Sequence, residues 1–202
     1  MSRKPEEKGK RQRLIEAANT LFSQKSPMEV TIDDVSREAG LGKGTVYLYF
    51  KSRDELMIEM FRDCISKGRG ELLSFLEAHR EVPPPQLLEQ TLDFVIGEVH
   101  RHRAMWGIWY QFLALAMSPR YRTDILEIVR CHQLRREQLL VEVINRGKQT
   151  GAFRREVNAE LTTISFFAVI DGLVTQAFIE AVDDFPATCR EALKPLLAAI
   201  RA

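Results

Sequence analysis

The chain reads as an all-α protein, and three observations carry that expectation. Apolar residues recur at three- and four-residue spacing along nearly its whole length. No stretch alternates polar and apolar residues for long enough to make a strand. Helix punctuation is written in place: Thr31 with Asp34 three residues on, Ser52 with Glu55, and the stop Pro83-Pro84-Pro85. At 202 residues the chain can build one sizeable core, or a small domain plus a larger one.

Residues 1–10 are polar and basic, and read either as an arm whose Arg3 and lysines reach phosphates or the minor groove, or as a solvated tail. From Arg11 to Gln24, Leu14, Ile15, Ala18, Leu21 and Phe22 repeat on one face of a first helix. Thr31 opens a second, with Ile32, Val35 and Ala39 as its stripe. Gly40 follows where a chain reversal needs positive φ, and Leu41 plugs the corner. Lys43 to Tyr49 makes a third short helix with Val46 and Phe50 turned inward. Two short helices around a glycine turn form a helix-turn-helix, whose second helix is built for the major groove of DNA.

The side chains this third helix leaves outside carry that reading. Lys43, Thr45, Tyr47, Leu48 and Tyr49 include no carboxylate, and Gly44 lets backbone come close to a duplex. Net charge over the chain is only +1, but residues 1–53 hold eleven Lys and Arg against seven Asp and Glu. That local excess is the footprint of a small DNA-binding unit.

The run Ala39 to Leu56, AGLGKGTVYLYFKSRDEL, resembles the signature of the TetR (tetracycline-repressor) family of bacterial regulators. The resemblance starts near Arg11, is specific through Leu56, and is architectural beyond. Two departures from the family pattern matter, and a third keeps the charge. Gly42 stands where the family usually has Ser or Thr, Ser26-Pro27 replaces a common Gly-aromatic pair, and Arg53 replaces the usual Lys. The resemblance implies a DNA-binding domain over 1–53 and a helical ligand-binding and dimerisation domain over 54–202. It implies a regulator, more often a repressor, that binds a palindromic operator as a dimer and is released by a small-molecule effector. The residues assigned to DNA are Lys43 and Tyr47 toward base edges. Thr31, Thr45, Tyr49, Lys51 and Arg53 are assigned to phosphates, with Gly44 and Leu48 on the same surface.

Ser52 to Glu55 is a capping box that starts a long fourth helix, continued through Leu72, Leu73 and Leu76 to the prolines. At 1.5 Å per residue it is about 40 Å long, and Gly68 and Gly70 inside it are candidates for a bend. Further helices are expected over 86–102, 106–117, 119–147, 159–184 and 186–202, with a break at Thr150-Gly151.

Between 94 and 117 aromatic and sulfur side chains concentrate. Phe94, His102, Met105, Trp106, Trp109, Tyr110 and Phe112 are either a pocket for an apolar or cationic small molecule or ordinary core. The segment Leu161 to Val182 is apolar on most faces, which calls for a second burial surface. Phe166, Phe167, Ile170, Leu173, Val174 and Phe178, with Leu193, Leu196, Leu197 and Ile200 of the last helix, are the expected homodimer interface. Asp171, Gln176 and Glu180 within it argue against a membrane span.

Catalysis and metals find little support. His100 and His102 diverge by about 200° on a helix. Gly40 to Thr45 lacks the spacing of a phosphate loop, and no zinc or nucleophile-elbow motif is present. The chain is therefore expected to be no enzyme and to need no cofactor or metal. Three cysteines, none close to another in sequence, and a polar N-terminus fit a soluble cytoplasmic protein. The alternative is a helical ligand-binding or interaction protein without specific DNA binding.

Overall fold

The computed structural model describes residues 3–202, and among them every side chain except those of 3–8, 67–69 and 104. Among the described residues nine α-helices follow one another: α1 (Arg3–Phe22), α2 (Ile32–Glu38), α3 (Lys43–Tyr49), α4 (Arg53–Ala78), α5 (Pro84–Arg101), α6 (Trp106–Leu115), α7 (Pro119–Gln149), α8 (Ala159–Phe178) and α9 (Phe185–Ile200). A single turn of 3₁₀ helix, Arg103–Met105, precedes α6. The all-α class is as the sequence predicts; among the described residues the only β pairing is a bridge between Phe153 and Arg201.

Two boundaries differ from the sequence reading. The arm expected over 1–10 is helical from Arg3 onward, with Pro5 in the first turn where no backbone N–H is required; Met1 and Ser2 lie outside the described residues. The helix expected to run to Asp184 ends instead at Phe178. Glu180 takes the left-handed conformation there, φ 58°. The Ala181 N–H donates to the Gln176 carbonyl at 2.8 Å and the Glu180 N–H to that of Ala177 at 3.1 Å. This closure normally has glycine in the left-handed position, so no residue type announced it.

The chain forms two compact units. One contains the residues up to Lys67 together with Gly107–Val129, and the other Gly68–Trp106 with Arg130–Ala202. The boundary expected at residue 53 therefore falls inside the first unit, at the start of α4. In that unit α1, α2 and α3 pack on one another over Leu14, Ile15, Val35, Val46 and Phe50, all buried. Phe61 of α4 stacks on Phe112 of α6 with ring centroids 4.1 Å apart, and Phe22 meets Phe112 edge-on. In the second unit α8 packs along α9, and α9 against α5. Phe153 lies on the backbone of Gly147, where any Cβ would run into its ring. The Arg146 guanidinium donates to the carbonyls of Arg80 and Val82 and so closes the turn between α4 and α5.

Candidate nucleic-acid interface

The helix-turn-helix is built by local chemistry that can be followed bond by bond. Thr31 caps α2: its hydroxyl accepts from the Asp34 N–H at 3.1 Å, and Asp34 accepts in return from the Thr31 N–H at 3.0 Å. The Thr31 hydroxyl also donates to Asp34 Oδ2 at 2.7 Å. These bonds from Thr31 hold the Asp34 carboxyl below the usual carboxylate range. Gly40, at φ 61°, ends α2. The Leu41 N–H reaches the Ser36 carbonyl at 2.9 Å and the Gly40 N–H that of Arg37 at 3.1 Å. Arg13 of α1 donates to the Ala39 carbonyl at 2.7 Å, tying the turn to the helix behind it.

Helix α3 has a buried face and an exposed one. Val46 and the following Phe50 are buried, whereas Gly44, Tyr47 and Leu48 are exposed. Thr45 and Tyr49 are half-buried. Gly42 occupies the N-cap position and supplies no side-chain cap. Lys43 is exposed but not free: its Nζ lies 2.8 Å from Asp33 Oδ1 and 3.1 Å from Oδ2. The Asp33 carboxylate holds the Lys43 ammonium above its ordinary value.

Arg53 has a different setting from the one its position suggested. Its Nε donates to the Val30 carbonyl at 2.6 Å and its Nη2 to that of Pro27, while Nη1 stands 3.9 Å from Asp54. The loop around 27–30 and the start of α4 thus meet on one guanidinium. Ser52 caps α4 by accepting from the Glu55 N–H at 3.1 Å; the Glu55 carboxylate accepts in turn from the Lys51 N–H at 2.6 Å, one residue earlier than in a regular capping box. Lys51 is exposed. Asp54 also accepts from Arg120 and, at 3.2 Å, from the Tyr121 hydroxyl, so the start of α7 braces the start of α4. Asp54 beside it raises the Arg120 guanidinium above its ordinary value. Nothing in the sequence pattern linked Arg120 or Tyr121 to the DNA-binding unit.

The seven aromatic-region residues are divided between the two units. Trp109, Tyr110 and Phe112 belong to the first, where Phe112 is fully buried. Phe94, His102, Met105 and Trp106 belong to the second. There Phe94 stacks on Phe75 at 4.6 Å, Trp106 donates from Nε1 to the Val99 carbonyl at 3.2 Å, and its ring meets Phe185 edge-on. One turn beyond Phe94 on α5 lies Glu98, a buried carboxyl. Arg101 donates to its Oε1, and Oε2 is buried without a donor. Burial, with Glu71 of α4 beside it, pushes the Glu98 carboxyl up. Glu98 escaped the sequence reading because a lone Glu on a helix looks solvated.

The ten residues expected at a dimer interface also divide. Phe166, Phe167, Ile170, Val174, Leu193 and Ile200 are buried against their own protomer; Leu173, Leu196 and Leu197 are half-buried; Phe178 is exposed. The outward face of α8 is instead Leu161, Ile164, Ala168, Gly172, Thr175, Phe178 and, just past the helix, Ile179. A Cβ on Gly172 would touch nothing in the protomer. By length and composition alone α8 could cross a membrane. At its centre, however, Asp171 is ion-paired to Arg136 at 3.0 Å, and that guanidinium lies 3.7 Å over the Phe167 ring. Burial pushes His132, near this pair, down to about 4.

Among the described residues no group of three His, Cys, Asp or Glu side chains is placed to hold a metal ion. Cys64, Cys131 and Cys189 form no disulfide with one another, and burial pushes the Cys189 thiol up to about 12.

Residues 14–60 match the family model for bacterial regulatory proteins of the tetR family, and residues 84–202 match that for the C-terminal domain of BetI-type transcriptional repressors. The HTH-type transcriptional regulator YfiR of Bacillus subtilis is 30% identical over 182 residues, covering 85% of this chain and 82% of YfiR. A TetR transcription regulator from Haloarcula marismortui superposes with a TM-score of 0.80 at 19% identity, covering 96% of this chain and all of the other. A transcriptional regulator from Saccharomonospora viridis, solved in complex with choline, superposes with a TM-score of 0.78 at 21% identity, covering 95% of this chain and 97% of that one.

Proposed function

From the fact that this chain belongs to the tetR family of bacterial regulatory proteins, and is a ligand-responsive DNA-binding transcriptional regulator, we propose how its residues divide that work. It acts in the cytoplasm as a homodimeric repressor on a palindromic operator. The observation that carries this reading is the outward face of α3, where Gly44, Tyr47 and Leu48 stand exposed with no acid among them.

In this assignment Tyr47 and Leu48 face base edges and Gly44 admits close approach. Lys43 joins them after exchanging Asp33 for the DNA. Thr45, Tyr49 and Lys51 meet phosphates. Thr31 and Arg53 serve mainly to hold the unit in shape, since the Thr31 hydroxyl hydrogen is already given to Asp34 and two arms of Arg53 to carbonyls. Two protomers join through Leu161, Ile164, Ala168, Gly172, Phe178 and Ile179, the small residues letting two copies of α8 approach closely. Their reading helices then stand about 34–36 Å apart, one turn of DNA.

The effector is assigned to the second unit, beside Phe94, His102, Met105 and Trp106. The charge around Glu98 narrows its class. Glu71, Arg101 and His102 all act on Glu98, and Arg101 donates to its Oε1. A buried carboxyl with a second acid near it favours a proton or a cation. An organic cation fits this setting, and the choline held by the Saccharomonospora viridis protein is of that class. The cation acts by binding the DNA-free state better, and a complete switch takes about 5.5 kcal/mol of differential affinity. Helices α4 and α7 each begin in one unit and end in the other, and are continuous elements available to transmit it.

The test begins with selection of bound duplexes from a random pool, then titration of the winner over a range of salt. Enrichment of a palindrome, with affinity falling steeply as salt rises, supports the reading; Lys51→Ala lowers the salt slope by about one. A protein that enriches no sequence is the interaction protein of the alternative reading. For the effector, choline and tetramethylammonium are added to the operator complex. Release that is lost in Glu98→Gln supports the cation assignment, and no release by either cation removes it.

A further inference from the structure

Among the described residues, no other large apolar side chain is as exposed as Leu48, at 81% of its full surface. It contributes nothing to the core, which α3 supplies through Val46. Spacing places it with Gly44 and Tyr47, at i, i+3 and i+4, on one face of the helix. A duplex offers that face a limited choice of partners. Guanine is read best by a bidentate Arg or Lys and adenine by Asn or Gln, while the 5-methyl group of thymine is read by apolar contact. Helix α3, KGTVYLY, has no Arg, Asn or Gln, and its only cation, Lys43, is paired with Asp33 at 2.8 Å. Gly44 has no side chain and Thr45 is half-buried. What remains outward, besides a Lys43 that must first leave Asp33, is Leu48 and Tyr47 with its apolar ring and one phenol.

We infer that Leu48, with the Tyr47 ring beside it, reads the 5-methyl groups of thymine, so that each operator half-site carries thymine opposite the middle of α3. The inference rests on the DNA-binding reading above and adds the chemistry of what is read. Burial of one methyl group is worth about 0.8 kcal/mol, or about fourfold in affinity per half-site. Loss in both half-sites multiplies to about fifteenfold.

The experiment uses the full-length chain and the operator selected above. Thymidine is replaced by deoxyuridine one symmetric pair of positions at a time, which removes the methyl group and leaves the hydrogen-bonding pattern unchanged. Expected is a loss of about fifteenfold at one or two position pairs and none elsewhere. Leu48→Ala, whose side chain lies outside the core, is expected to melt as the parent does and to bind thymidine and deoxyuridine operators equally. Deoxyuridine without effect at every position overturns the inference, as does a Leu48→Ala chain that keeps the full thymidine preference. A chain that selects no operator at all overturns the DNA-binding reading first and this one with it, so the two failures are told apart at the selection step.

Discussion

Helices α3 and α8 differ in how far each is explained by its own neighbours in sequence. Around α3 every boundary has a local cause: the Thr31 cap, the left-handed Gly40, the Ser52 cap. The outward face is whatever Val46 and Phe50 leave over. Along α8 the apolar residues cover most of the helix, and packing against distant elements, α9 above all, decides which of them belong to the protomer's own core. Short-range spacing therefore settles which side chains of α3 stand outside. It leaves open which side of a doubly apolar helix is available to a partner.

Substitutions on α8 test that division most strongly. Phe166, fully buried, faces its own core. Phe166→Ala is expected to lower protomer stability by about 3–5 kcal/mol in chemical denaturation while leaving any dimer that still folds intact. Ile164, exposed on the other side of the helix, should behave oppositely. Ile164→Glu is expected to weaken dimerisation at least a hundredfold, about 2.7 kcal/mol, in sedimentation, with the protomer's helicity unchanged. If Ile164→Glu stays fully dimeric, this face of α8 is not the interface.

On the α3 side the effects are smaller and separate shape from reading. Arg53→Ala takes the donors away from the Val30 and Pro27 carbonyls, and is expected to cost about 2 kcal/mol of stability in chemical denaturation. DNA affinity then falls only as far as the folded population does. Gly44→Ala has the reverse signature. A Cβ there meets nothing in the protein, so helix propensity raises stability by up to about 1 kcal/mol while operator binding weakens.

The smallest expected effect concerns pH in the second unit. The Glu98 carboxyl is raised by burial and by Glu71, so its proton is held more tightly in the folded chain than in the unfolded one. Its contribution is fully present below the ordinary Glu range and is lost as pH rises through the raised value. Glu98→Gln is expected to flatten the melting temperature over that window; an unchanged pH profile assigns the dependence to other groups.

The fold was legible almost throughout. Capping residues and prolines marked most helix ends, and Gly40 marked the reversal. The end of α8 was hidden because Glu180, an ordinary helix former, holds the left-handed turn. At the candidate site, exposure of Tyr47 and Leu48 followed from spacing. The setting of Arg53 did not, because its partners Val30 and Pro27 lie more than twenty residues back. The same holds for Arg120 and Tyr121, which reach Asp54 from 66 and 67 residues away, far beyond any helical repeat. Burial of Phe166, Phe167 and Ile170 within the protomer was not legible, because periodicity tells that a helix has two apolar sides, not which is already covered.

Whether α3 reads sequence is decided by one titration. The wild-type chain and Tyr47→Ala are each measured against the selected operator and an unrelated duplex of equal length, at one physiological salt concentration. The wild type is expected to prefer the operator by about a thousandfold or more. Tyr47→Ala should lose about tenfold or more on the operator and little on the unrelated duplex. Equal losses on the two duplexes, or a wild-type chain that binds both alike, would contradict the reading of α3 as the recognition helix.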